Sequence, residues 1–182
     1  MCLPTLTVGE ISAVIIVVFL GVELSVLSIV SGRAVFRPFG PDEQIKPEGR
    51  EYATRATTLG GLTFAAVALL VGSFSIKLDQ LSNVLFLLGL SIGLFLISYS
   101  VEVLVRIAEF FWIVQDKTLW YGFISVVVGL ALFFQQFVPD VFPLIIVVLI
   151  TVATIHATEF YYDIRALRPL GRTEALRPNA PS

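Results

Sequence analysis

Apolar runs separated by short polar interruptions dominate this chain, and several reach the roughly 20 residues a helix needs to cross a bilayer. Read at that length, the pattern predicts membrane spans at Ile11–Ser31, Thr58–Ile76, Leu81–Val105, Leu119–Phe137 and Phe142–Tyr161. The expected fold is therefore all-α: a polytopic membrane bundle of five transmembrane helices, forming one domain over residues 1–170. Two longer polar segments remain, a Pro-rich charged loop at 32–57 and a tail at 171–182 that reads as frayed. Neither is long enough for a folded catalytic domain. Pro139 and Pro143 bracket a short turn, which makes the last two helices antiparallel neighbours. Pro143 suits a helix's first turn, where a missing N–H costs nothing. No proline lies deep in a span, so the helices should run unbroken. Glu51 and Arg55 stand at helical i,i+4 spacing, which starts the second helix ahead of its apolar run.

Composition agrees. Hydrophobic residues make up 57% of the chain and mean hydropathy is +0.91, against an apolar share of about 45–50% in soluble domains. Net charge is −2 with no dense basic cluster, which sets nucleic acid aside as a partner. Cys2 is the only cysteine and closes no intrachain disulfide. The residues before Ile11 carry no Lys or Arg, so that segment does not read as a cleaved signal.

The basic residues set an expected orientation. Arg33, Arg37, Lys46, Arg50 and Arg55 fall in the first loop, Arg106 and Lys117 between the third and fourth spans, and Arg165, Arg168, Arg172 and Arg177 after the fifth. Drawn with five spans, only Lys77 lies on the other side. This places the N-terminus outside and the C-terminus in the cytoplasm, in what reads as a plasma membrane. Trp112, Trp120, Tyr121, Tyr161 and Tyr162 gather at the same inner boundary, where amphipathic rings favour the headgroup region.

Small residues mark packing faces. Gly61, Ala65, Ala68 and Gly72 share one face of the second span, and Gly89 and Gly93 form a GxxxG in the third. Such faces let backbones approach closely in lipid. They fit packing within one bundle, and also contact with a second copy or with other membrane subunits.

The candidate chemistry lies in the polar groups within the spans, since an ionisable side chain in lipid costs about 2.5–3.5 kcal/mol on insertion scales. At 100° per residue, Ser91, Ser98, Glu102, Arg106 and Glu109 fall at about 0°, −20°, 20°, 60° and 0°, a narrow stripe on a continuous third helix. His156, Glu159 and Asp163 share a face of the fifth span. Glu23 stands alone in the first, about 12 Å from its inner end at 1.5 Å per residue. The ionisable groups among them cluster in the expected cytoplasmic half, and an outward route would rely on Ser91 and Ser98. No lysine is expected mid-span.

Three readings follow. In the leading one, Glu23, Ser91, Ser98, Glu102, Arg106, Glu109, His156 and Glu159 conduct, transport or respond to a small ion or proton, with Glu23 exchanging a proton with His156. The alternative is a non-catalytic accessory subunit with structural acids. The third is a metal-dependent enzyme. His156-Ala-Thr-Glu159 reverses the Glu-x-x-His of di-iron bundles and occurs once. No nucleophile motif or phosphate loop appears, so the expectation is no catalytic residue, no metal and no cofactor, with the lipid bilayer as surroundings.

Overall fold

The structure is a computed structural model that describes residues 7–32, 36, 48–73, 78–105 and 108–175, with backbone only at 48–50, 73, 78–80, 109 and 167–175. The described residues form five long α-helices: α1 (Val8–Ser31), α2 (Glu48–Ser73), α3 (Leu78–Val105), α4 (Glu109–Phe137) and α5 (Phe142–Ala175). All five are long and apolar enough to cross a membrane. Large apolar side chains cover the outward faces of α1, α2, α3 and α5, among them Phe19, Ile29, Phe64, Val103 and Ile150. Water would penalise such a surface and lipid would not.

Local chemistry explains the helix ends. Thr7 caps α1 in a capping box: its hydroxyl accepts from the Glu10 N–H, and Glu10 reaches back to the Thr7 N–H at 2.8 Å. Gly32 ends α1 with φ at +59°, a conformation other residues adopt at a cost. Between α4 and α5 the chain turns through a single 3-10 turn, Pro139–Val141, and Pro143 lies in the first turn of α5, as expected.

Two boundaries shift in ways that matter. α2 starts at Glu48, with Arg55 paired to Glu51 on its exposed surface. α4 starts at Glu109, ten residues before the apolar run at Leu119, so Gln115-Asp116-Lys117-Thr118 is helix and not loop. The third helix stops at Val105, and Glu109 opens α4, so the stripe expected along one continuous helix is split between two.

α4 is the central element. It packs against each of the other four helices, which surround it in the order α2, α3, α1, α5. Close approach is concentrated at α3·α4, where Phe95 lies against Gly122: a Cβ there would stand 2.6 Å from the ring. Two serine hydroxyls join the same pair, Ser98 donating to the Gln115 carbonyl at 2.9 Å and Ser125 to the Leu87 carbonyl at 2.8 Å. At the far end, Gly9 lets α1 meet Asn83, whose side-chain oxygen accepts from the Gly9 N–H at 3.1 Å.

The small-residue faces lie elsewhere. Gly61, Ala65, Ala68 and Gly72 are exposed on the outside of α2, and a Cβ at Gly61, Gly72, Gly89 or Gly93 would meet nothing within 4 Å. Among the described residues, the close helix–helix approaches at glycine are those of Gly9 and Gly122.

Candidate functional site

The site forms where α1, α4 and α5 meet. Glu23 on α1 and Lys117 on α4 each lie eight residues, about 12 Å, from the ends of their helices at the Ser31 end of the bundle. Because α1 runs toward that end and α4 away from it, the two side chains arrive at the same depth. α5 runs parallel to α1 and delivers His156, Glu159 and Asp163 at spacings of three and four, down one face.

The contacts are short. His156 Nε2 lies 3.0 Å from Glu23 Oε2, buried in the interior. Lys117 Nζ lies 3.5 Å from Glu23 Oε1, 3.2 Å from Asp116 Oδ2 and 2.6 Å from Asp163 Oδ2. The Lys117 side chain is 1% exposed and Glu23 5%, whereas Asp163 is 32% exposed. A continuous chain of ionisable groups thus runs from His156 through Glu23 and Lys117 to Asp163, from interior to surface.

Aromatic rings enclose it. The His156 ring packs edge-on against Tyr121 at 5.1 Å between centroids and lies 5.7 Å from Trp120. The Tyr121 hydroxyl faces Glu23, and Tyr52 of α2 faces Asp116 from the other side. Glu159 is half-buried within the electrostatic reach of Asp116 and Lys117. Among the described residues, Glu23 Oε1, Asp116 Oδ1, His156 Nδ1 and Glu159 Oε2 are buried without a hydrogen-bond partner.

The sequence-predicted residues divide. Glu23 and His156 are in contact, and Glu159 lies within electrostatic reach of His156 without touching Glu23. Ser91 and Ser98 are fully buried at helix contacts, their hydroxyls donating to the carbonyls of Leu88 and Gln115. Glu102 is half-exposed and outside the ion-pair cluster. Arg106 lies outside the described residues, as does the side chain of Glu109.

The residues missed are Asp116 and Lys117. Hydropathy alone places them in a connection, with Lys117 among the inner-side loop charges. The structure instead buries a lysine within the fourth span. A signal was available: Asp116 and Lys117 precede Trp120 and Tyr121 without a Gly or Pro between, and Glu109–Thr118 carries no helix breaker.

Two openings adjoin the cluster. A groove of about 610 Å³ runs between α1 and α5, floored by α4 and lined by Glu23, His156 and Tyr121 among apolar side chains. A second cleft of about 530 Å³ separates α2 from α5 and reaches Glu159. Among the described residues, no three His, Cys, Asp or Glu side chains converge as a metal-ligand set. No protein-family model, curated protein or solved structure matches this chain.

Proposed function

We propose that this chain is an integral membrane protein that takes up, releases and passes protons through the His156–Glu23–Lys117–Asp163 series. The single observation that carries this reading is the buried 3.0 Å contact between His156 and Glu23, joined through Lys117 to a carboxylate at the surface. A membrane bundle gains little from such a cluster as scaffolding, because a buried ion pair rarely outperforms well-packed apolar residues. Imidazole and carboxylate in contact are the side chains best suited to exchange a proton near neutral pH. The basic first loop and tail support an orientation with the Ser31 end, and hence the partly exposed Asp163, in the cytoplasm. A plasma membrane location is part of the same proposal.

The test is infrared difference spectroscopy on the whole protein in lipid nanodiscs, titrated between about pH 4 and pH 9. The expected result is a carboxyl band that appears with pH, is absent in Glu23→Gln and is displaced in His156→Gln. A Glu23 carboxyl whose protonation stays constant over that range refutes the reading. In liposomes, Glu23→Gln should also slow any protein-dependent decay of a pH gradient by about tenfold or more.

A second reading, an accessory subunit, rests on the outward small-residue face of Gly61, Ala65, Ala68 and Gly72, which this bundle leaves uncovered. Gly61→Leu that leaves co-purifying membrane partners and oligomer size unchanged would remove its basis.

A further inference from the structure

The groove between α1 and α5 is more than a packing defect. It follows α1 from Ser12 to Val26, about 21 Å of helix at 1.5 Å per residue. Its volume of about 610 Å³ is that of a small-molecule site, for which about 300–1,000 Å³ is usual. Phe19 and Val22 on its rim are largely exposed, so it opens sideways, where lipid would lie. Apart from Ser12, Tyr121 and His156, its described lining is apolar with one exception, the carboxylate of Glu23.

Charge decides what fits. Lys117 is shared among three carboxylates and stands closest to Asp163 and farthest from Glu23, at 2.6 Å against 3.5 Å. Lys117 itself does not line the groove. Glu23 is thus the one carboxylate on the groove, and the partner it holds most closely there is His156 itself. An incoming cation can replace that partner, whereas an anionic headgroup meets the carboxylate and is repelled. Phe19, Phe160 and Tyr121 add aromatic faces, which attract cations by about 0.5–2 kcal/mol each.

The geometry points to this groove as a binding site for a lipophilic cation, an amphiphilic amine or a quaternary or phosphonium ion, that enters from the bilayer and displaces the proton of His156. This inference rests on the proton reading of the same site. The exchange balances. The cation takes the place of imidazolium as the partner of Glu23; the His156 N–H bond breaks, and the proton leaves toward the surface through Glu23, Lys117 and Asp163. The charge of the site is unchanged. The titratable groups around His156 are Glu23 on α1, Tyr121, Asp116 and Lys117 on α4, and Glu159 and Asp163 on α5; Tyr52 of α2 faces Asp116. Of these groups only Lys117 is a cation, and a cation docked at Glu23 adds its repulsion at the His156–Glu23 contact itself, so the proton that leaves is that of His156.

The experiment compares tetraphenylphosphonium with its anionic counterpart tetraphenylborate. Binding to the whole protein in nanodiscs is read by Trp fluorescence and calorimetry, with empty nanodiscs subtracted. The expected result is saturable binding of the cation, at least about tenfold tighter than the anion, with about one proton released per cation in weak buffer. Glu23→Gln should weaken the cation by about tenfold or more. Ala157→Phe, a change at an exposed position on the groove wall, should do the same by filling it. Equal binding of cation and anion, no saturable cation binding to the wild type, or cation binding without proton release overturns the inference. The infrared titration reads Glu23 without any cation, so the two proposals fail separately. A Glu23 that titrates in a protein blind to ligand charge keeps the proton function and loses the cation.

Discussion

Replacing Lys117 by Met is the most demanding test of the site's electrostatics. Methionine fills much of the same volume, so the loss is that of the ammonium. Its three carboxylate partners lie at 2.6, 3.2 and 3.5 Å. At an effective dielectric near 20, each contact corresponds to about 5–6 kcal/mol of gross Coulomb attraction. Most of that offsets the several kcal/mol of desolvation each buried ion pays. The partly exposed Asp163 is discounted further by solvent screening. What remains when one partner alone is removed is typically about 3–5 kcal/mol, because the other charges stay buried without compensation. Lys117→Met is therefore expected to lower unfolding free energy by about that amount in nanodiscs or mild detergent, followed by denaturant titration with circular dichroism. Adding Asp163→Asn should recover part of the loss, with a coupling energy of about 0.5–3 kcal/mol across the double-mutant cycle. If Lys117→Met unfolds within about 0.5 kcal/mol of wild type, the level of an ordinary surface change, the buried ion-pair reasoning is refuted.

Other consequences can be checked on the same footing. Gly122→Ala drives a methyl group to 2.6 Å from the buried Phe95 ring and should cost about 1–3 kcal/mol, whereas Gly61→Ala meets open space and should be neutral or slightly stabilising in thermal melts. Gly9→Ala meets the Asn83 backbone at 2.7 Å, which cannot yield as a side chain tip does, so it should destabilise at least as much as Gly122→Ala. Ser98→Ala removes the interhelical bond to Gln115 and should cost about 0.6–1.7 kcal/mol by denaturant titration. Thr7→Ala should loosen the first turn of α1 by about 1 kcal/mol, seen as faster amide exchange at Glu10 and Ile11 with the rest of the bundle unchanged.

Part of the site was legible because its residues break a rule of their surroundings. Glu23 and His156 interrupt apolar runs and announce themselves. Asp116 and Lys117 do not: they sit beside the run, where charge is expected, and only the early start of α4 at Glu109 carries them inside. The same extension changed the meaning of the third-helix stripe, since a period projected past Val105 assigned Glu109 to the wrong helix. Small-residue spacing was a similarly partial guide. It found the exposed face of α2 but not Gly122, because a single close approach carries no period.

The sequence by itself determined the five helices that, among the described residues, are long and apolar enough to cross a membrane, because span length and hydropathy are properties of consecutive residues. It also determined the turn at Pro139–Pro143, the Glu51–Arg55 pair, and the common face of His156, Glu159 and Asp163. Tertiary structure alone decided which helix those groups meet. Glu23 becomes part of a site only because α1 and α5 run parallel beside an antiparallel α4, bringing residues 133 positions apart to 3.0 Å. That pairing depends on helix rotation and depth around a central partner. No local pattern in the chain encodes either.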